Sequence, residues 1–385
     1  GMSGSGFALG LAIASYEWMA AITLIIVGKY FLPIFIEKGL YTIPEFVEKR
    51  FSTNLKTILA VFWIGLYIFV NLASVLYLGS LALETIMGIP MIYGVIGLAL
   101  FAAAYSLYGG LSAVAWTDVI QVIFLVLGGL VTTYIALNTV SDGQGVIAGA
   151  KTVYEAAPER FAMIFDESNP YYDMLPGIGV LLGGMWVANL YYWGFNQYII
   201  QRALAAKSVS EAQKGIAFAA FLKLLMPVIV VLPGIAMYAL NAELTSPDQA
   251  YPSAMALLPA GIKGLVFAAL LAAIVSSLAS MCNSISTIFT VDLLPSMVSD
   301  EWLARNRLFS GRATALLAMI IAMVAAQPLL GNFDQAFQYI QEFTGFFTPG
   351  IVVIFLLGMF WRKTTATGAL LAAVGSAVLS LAMKI

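Results

Sequence analysis

The stretch "AFLKLLMPVIVVLP" (residues 220–233) sets Lys223 inside a run of side chains that otherwise suit the interior of a lipid bilayer. An ammonium group within an apolar helix is costly, and such residues usually face the interior of a helix bundle or a water-filled path. The run therefore predicts a membrane-spanning helix. What Lys223 faces inside that membrane decides the function of the chain.

The composition is that of an integral membrane protein. Of its 385 residues, 61% are hydrophobic and 10% are charged, whereas soluble domains carry about 25% charged residues. A net charge of −2 argues against nucleic acid as a partner, and a sequence without histidine excludes His-based metal sites and catalytic triads. We therefore expect a multi-pass protein of the cell membrane whose surroundings are the lipid bilayer.

Ten stretches are apolar enough to span a membrane, since each offers a window of about 18 or more apolar residues. Their length and continuity favour helices over alternating strands. Basic residues concentrate after spans one, five, seven and nine, which predicts that these loops are cytoplasmic. The predicted spans are 7–35, 55–82, 90–107, 111–138, 176–201, 214–241, 257–290, 309–330, 335–361 and 366–384.

The connections leave no soluble domain, so we expect one transmembrane domain over residues 1–385. Residues 39–51 predict a short cytoplasmic interfacial helix, and residues 139–175 predict an acidic extracellular loop. A "YGG" turn at 108–110 separates spans three and four. Gly183 and Gly184 in span five, like the prolines of spans six and nine, indicate broken or kinked helices that free backbone groups for a site at mid-membrane.

Four charged residues lie well inside predicted spans, away from the span ends: Glu17, Asp118, Lys223 and Glu342. Such residues indicate a functional site, but each has a structural alternative. Glu342 could lie at a solvated helix end, and Asp118 could pair with a neighbouring amide. Glu17 and Lys223 have opposite charges and could form a buried structural ion pair, which is weak evidence of function.

Polar side chains recur at helical spacing in several spans. Asn189, Tyr192 and Asn196 are at i, i+3 and i+7, so a continuous helix would place them on one face. Amide and phenol groups suit a ligand with hydroxyls, because an amide both donates and accepts and the ring stacks on an apolar sugar face. Span nine carries a similar stripe that includes Gln341, and Asn71 lies within span two. Interhelical polar contacts are the alternative for all of them.

Span seven is rich in serine. Ala273, Ser276 and Ser277 have the i, i+3, i+4 relation that could place one carbonyl and two hydroxyls around a hard cation such as sodium. Small residues also line helices simply because they allow close packing. Ser276 shares its helix face with further polar residues, namely Ser280, Asn283 and Thr287.

Five motifs extend across nearly the whole chain: "YTIPEFVEKRF" (41–51), "YSLYGGLSAVAWTDVIQ" (105–121), "NLYYWGFNQYIIQR" (189–202), "AAIVSSLASMCNSISTIFT" (272–290) and "GMFWRKTTATGALLAAVGS" (358–376). Together they resemble the sodium:solute symporter family, in particular its bacterial sodium/galactose (sodium/glucose-type) branch. The resemblance implies an all-α, LeuT-like membrane bundle of two inverted five-helix repeats that works by alternating access.

The resemblance also implies roles for individual residues. Tyr192 matches an aromatic residue that covers the sugar as an inner gate. A sodium ion would bind the Ala273 carbonyl with the Ser276 and Ser277 hydroxyls, and Asp118 matches an acidic residue near the sodium release route. Glu342 matches no role. The implied sugar-binding residues are Glu17, Asn71, Asn189, Lys223 and Gln341.

Two departures from the family pattern stand out. The family's broken first core helix, which supplies sodium ligands and a sugar-binding glutamine, has no counterpart in 1–385, nor do one further N-terminal helix and the later C-terminal helices. We therefore expect a truncated transporter domain that lacks part of the sodium site. Ala20 stands where galactose-type proteins carry a serine, so the exact sugar preference stays open.

The expected function is sodium-coupled transport of a hexose, and no enzymatic activity. Lys223 and Glu17 would bind sugar hydroxyls from opposite sides, separated by a ligand-sized gap. Direct contact between the two groups would contradict this arrangement. The alternatives are a sodium symporter for myo-inositol, proline, pantothenate or sialic acid, or a membrane sensor built on the symporter fold. An intramembrane Ser–Lys hydrolase is disfavoured, because no serine lies at helical spacing from Lys223 within its span.

Overall fold

The computed structural model describes residues 1–175, 177–331, 333 and 335–384, apart from the side chains of 108–114 and 384. Within these residues the chain is helical and contains no β-strand. Over these described ranges, seven helices are long and apolar enough to cross a membrane. Two bent helix pairs and one shorter apolar helix bring the total to ten, the number of predicted spans. The all-α membrane fold is therefore confirmed.

The spanning elements are labelled α1 to α10 in chain order. They are α1 (Leu11–Glu37), α2 (Thr53–Met87), α3 (Met91–Leu107), α4 (Ala115–Val140), α5 (Tyr172–Leu182 and Gly184–Gly194), α6 (Val209–Ala239), α7 (Ala260–Ser296), α8 (Asp300–Leu330), α9 (Ala336–Gly345 and Thr348–Phe360) and α10 (Ala366–Met383).

Elements α3 and α4 are not one straight rod, although the backbone is helical from Met91 to Val140. The hydroxyls of Tyr105 and Thr117 are in contact, whereas twelve residues of straight helix cover about 18 Å. The predicted turn at 108–110 lies outside the residues whose side chains the structure describes.

Two spans are broken close to the glycine and proline residues from which a break was predicted. The halves of α5 meet at 78° next to Gly183, and those of α9 meet at 53° just before Pro349. In the part of the chain that the structure describes, four helices also contain a π-helical turn, a feature that is frequent at functional sites. These turns cover Val27–Phe31, Tyr67–Leu72, Pro227–Val231 and Ile288–Leu293.

The prediction that Asn196 continues the face of Asn189 and Tyr192 is wrong. The helix ends at Gly194, Asn196 is extended (φ −100°, ψ 116°), and a new helix, Gln197–Leu204, begins after it. The reason lies on α2, where the Tyr67 hydroxyl donates to Asn196 Oδ1 (2.7 Å) and accepts from the Gln197 N–H (2.9 Å). These bonds satisfy polar groups that the break leaves without helical partners.

The predicted interfacial helix is present as Ile43–Arg50. Thr42 caps its start by accepting a hydrogen bond from the Glu45 N–H, and Arg50 near its end donates to the Gly358 carbonyl of α9 (2.9 Å). Glu48 pairs with Lys56 of α2 (2.8 Å), and this hydrogen bond lowers the pKa of the Glu48 carboxyl. Its cytoplasmic location stays a prediction.

Residues 139–175 contain a helix, Val146–Ala156, and fold back over the bundle. Arg160 is buried, donates to the Ala8 carbonyl, and lies 3.9 Å from the centroid of the Tyr238 ring on α6. The segment is therefore anchored to the helices. Its extracellular location, like the single-domain organisation of 1–385, stays a prediction.

Close packing of the Met2–Leu9 helix on α6 generates a first test. An added Cβ at Gly234 would lie 2.1 Å from the Ser3 carbonyl oxygen, whereas at Gly215 of the same helix it would meet nothing within 4 Å. We expect Gly234→Ala to destabilise the full-length protein by about 1–3 kcal/mol, because backbone must move. Gly215→Ala should be neutral or slightly stabilising. Thermal unfolding in detergent measures both, and equal midpoints would contradict the packing.

Candidate functional site

A cavity of about 620 Å³ lies between α1, α2, α5, α6, α7 and α9. Its volume falls within the range of about 300–1,000 Å³ that is typical of small-molecule sites. Every residue predicted to contact sugar lines this one cavity, although the chain separates the first from the last by more than three hundred positions. They are Glu17, Asn71, Asn189, Tyr192, Lys223 and Gln341.

The predicted gap between Lys223 and Glu17 is wrong. Lys223 Nζ lies 2.7 Å from Glu17 Oε2, so the two groups form a direct ion pair at the cavity wall. The ammonium group also lies 4.6 Å from the centroid of the Trp193 ring. The structural alternative considered for this pair therefore describes its geometry, although both residues remain exposed to the cavity.

The apolar surroundings of Lys223 and Glu17 explain why the two groups are in contact. Two opposite charges in an apolar bundle are most stable in contact, because each is poorly solvated and their attraction is weakly screened. The bond between them leaves hydrogen-bonding capacity on both groups, because an ammonium has three donor protons and a carboxylate accepts at about four positions. A ligand can therefore bind the outer edge of the intact pair.

Asn189 acts mainly within its own helix. Its amide donates to the Met185 carbonyl (2.9 Å), and its Oδ1 accepts from the Trp193 indole N–H (3.2 Å). Because Trp193 in turn stacks on Lys223, Asn189 orients the aromatic side chain that contacts the ion pair. Trp193 was not predicted as a site residue. Its i, i+4 spacing from Asn189 is the signal that could have identified it.

Asn71 and Tyr192 meet through a residue that the sequence analysis did not single out. The Tyr198 hydroxyl lies 2.8 Å from the Tyr192 hydroxyl and 3.5 Å from Asn71 Nδ2. The other amide atom of Asn71, Oδ1, is buried and has no hydrogen-bond partner among the described residues. A buried acceptor left in this state costs about 1–3 kcal/mol, which a ligand hydroxyl could offset.

The serines of α7 form one network with Asp118. The Ser276 hydroxyl donates to Asp118 Oδ1, and Arg202 lies 2.6 Å from Asp118 Oδ2 and donates to the Ser280 hydroxyl (2.6 Å). The partner of Asp118 is thus the charged side chain of Arg202 and not a neighbouring amide. Arg202 was not predicted as a site residue. Ser277 lines the cavity itself.

Ala273 lies one helical turn before Ser276 and Ser277, as the spacing required. Among the residues that the structure describes, no group of three or more His, Cys, Asp or Glu side chains could hold a metal ion. An ion here would therefore depend on hydroxyl and carbonyl oxygens.

Glu342 lies outside the main cavity and lines a second one of about 450 Å³, together with Asp173. Tyr16, Phe337 and Gln341 line both cavities, and the rings of Tyr16 and Phe337 lie edge to face with centroids 5.3 Å apart. These side chains separate the two spaces.

A bundle of bent membrane helices around a cavity lined by an ion pair, amides and aromatic rings is typical of a multi-pass membrane transporter. The chain belongs to the sodium:solute symporter family, whose sequence model matches residues 1–375. The predicted class, a sodium-coupled symporter of the cell membrane and not an enzyme, is confirmed by this membership.

Among curated relatives, the chain is 62% identical over 401 aligned residues to a sodium/glucose cotransporter of Vibrio parahaemolyticus, with 100% of this chain and 74% of that protein covered. It is 33% identical to sodium/myo-inositol cotransporter 2 of Homo sapiens (96% and 58% covered) and 32% identical to sodium/glucose cotransporter 4 of Danio rerio (96% and 60% covered). The chain thus spans under two thirds of these two vertebrate relatives.

The fold is similar to that of a Na⁺-coupled sialic acid symporter solved in a substrate-bound outward-open state. The TM-score is 0.85 at 23% identity, with 100% of this chain and 79% of the other chain covered. This likeness confirms the predicted LeuT-like fold.

The direct ion pair generates a second test. Removing one partner of a buried pair leaves an uncompensated charge and costs about 3–5 kcal/mol, whereas neutralising both costs less. We expect Lys223→Met alone to lower the thermal midpoint of the full-length protein more than Lys223→Met combined with Glu17→Gln. Additive losses in the double variant would show that the two groups are not in contact.

Proposed function

We propose that the full-length protein is a sodium-coupled symporter for a neutral polyhydroxylated solute, a hexose such as galactose or glucose, that works by alternating access. The observation that carries this proposal is the convergence of six polar and aromatic side chains from five helices on one membrane-embedded cavity. Hexose hydroxyls both donate and accept hydrogen bonds, which matches an ion pair, amides and a phenol.

The charges of the cavity favour a neutral solute. Its charged lining residues are Glu17, Lys223 and Arg202, and both cations are already engaged, Lys223 with Glu17 and Arg202 with Asp118. Among the described lining residues, no unpaired cation is left for a carboxylate. The carboxylate of a proline, pantothenate or sialic acid substrate would compete with Glu17 or Asp118 for these cations, whereas a sugar or myo-inositol binds without such competition.

A sugar would bind along the edge of the Lys223–Glu17 pair. The spare protons of Lys223 and the second carboxylate oxygen of Glu17 supply charge-assisted hydrogen bonds. The buried Oδ1 of Asn71 accepts a further hydroxyl, and Gln341 offers both a donor and an acceptor. The rings of Tyr192 and Trp193 cover the apolar face of the sugar.

The sodium ion would bind on α7, at the Ala273 carbonyl and the Ser276 and Ser277 hydroxyls. Because Ser276 gives its proton to Asp118, its oxygen lone pairs are free to face a cation. Ser277 shares the wall of the sugar cavity, so an ion beside it and a sugar would favour the same conformation. Their affinities would then be coupled reciprocally, and Asp118 would receive the ion as it leaves.

The sugar site is tested by uptake of radiolabelled galactose and glucose into proteoliposomes under a sodium gradient. We expect Glu17→Ala and Lys223→Ala to reduce uptake to background while expression is retained, because each loses charge-assisted bonds to the sugar. Lys214→Ala is the matched control, since Lys214 forms an exposed ion pair with Glu211 on the same helix (2.8 Å). Wild-type kinetics in either cavity variant would overturn the assignment of the sugar site.

The sodium site is tested in the same vesicles with Ser277→Ala. One hydroxyl ligand contributes about 1–2 kcal/mol to the free energy of sodium binding. Its loss should raise the half-saturating sodium concentration about 5- to 30-fold, with little change in the sugar KM at saturating sodium. Ser380→Ala, on α10, is the control. An unaltered sodium activation curve for Ser277→Ala would refute the proposed ion site.

A further inference from the structure

Tyr192 and Tyr198 lie on opposite sides of the helix break at Phe195 and Asn196. Tyr192 belongs to the segment that ends at Gly194, and Tyr198 to the segment that begins at Gln197. Their hydroxyls are 2.8 Å apart and their rings pack edge to face with centroids 6.1 Å apart. The side chain of Tyr192 is thus held by a residue that belongs to the following helical segment.

Hydrogen bonds connect both tyrosines to Asn71. Asn71 Nδ2 donates to the Tyr198 hydroxyl at 3.5 Å, and either hydroxyl of the Tyr192–Tyr198 pair can donate to the other. The hydrogen bonds thus link a proposed sugar ligand on α2, through Tyr198, to the proposed gate.

The position of Tyr198 is fixed independently. Its ring is 6% exposed and packs edge to face on Tyr67, with centroids 5.4 Å apart. Tyr67 is fully buried and bonds both to Asn196 Oδ1 and to the N–H of Gln197. Tyr198 is therefore packed against Tyr67, which itself bonds to the break. Tyr192 is held on the cavity side by its bond to Tyr198.

We propose that Tyr198 is the positioning residue of the inner gate: its hydroxyl holds the Tyr192 ring over the sugar, and the break at Phe195–Asn196 is the hinge across which this bond forms. The inference rests on the proposed sugar site. Opening the gate toward the inner side would require this hydrogen bond to break. A sugar bound to Asn71 would then be linked to the gate through one hydroxyl.

The test is the rate at which bound radiolabelled sugar leaves the full-length protein in detergent with sodium present. Tyr198→Phe keeps the ring and removes the hydroxyl, so we expect sugar to leave about 2- to 10-fold faster, the factor that one net hydrogen bond supplies. Tyr192→Phe deletes the same bond from the other side and should give the same acceleration. The double variant should be no faster than either single variant, because only one bond is shared.

Tyr134→Phe is the control, since its ring is 52% exposed on α4, and its release rate should equal that of the wild type. An unchanged release rate in Tyr198→Phe, or additive acceleration in the double variant, would overturn the gate assignment while the sugar site stands. If Glu17→Gln also binds sugar like the wild type, the sugar site itself is refuted. The two failures are thus distinguishable in one set of measurements.

Discussion

The ion pair between Lys223 and Glu17 is the interaction on which the site depends. A charge in an apolar bundle must be paired, and this requirement joins α6 to α1, with Lys223 Nζ 2.7 Å from Glu17 Oε2. Trp193 packs against the ammonium and is itself oriented by Asn189, so the pair also fixes one wall of the cavity. Its net neutrality is what suits the cavity to an uncharged, hydroxyl-rich solute.

Broken helices supply the rest of the site. Irregular backbone is tolerated at membrane depth only where other groups satisfy it, and here Tyr67 does so at the break beside Asn196. The same break separates Tyr192 from Tyr198, while the π-turn Tyr67–Leu72 carries Asn71. The irregular segments therefore carry the proposed sugar-binding and gating side chains.

The sequence predicted most of the fold, because hydropathy reports the bilayer directly and each predicted span has a helix as its counterpart. It failed where tertiary contacts decide the outcome. Spacing on α5 assumed one continuous helix, but Tyr67 from another span stabilises a break at Asn196. Charges at Glu17 and Lys223 indicated a site, but only three-dimensional proximity reveals that they touch. The partners Arg202 and Tyr198 were likewise invisible, since each acts across helices.

Competition binding tests the central claim most directly. Radiolabelled galactose bound to the full-length protein in detergent would be challenged with unlabelled glucose, myo-inositol, proline and sialic acid, with and without sodium. A cavity whose cations are already paired predicts sodium-dependent binding that neutral sugars or polyols displace and the two carboxylate-bearing solutes do not. Displacement by proline or sialic acid at concentrations where glucose and myo-inositol fail would contradict the account.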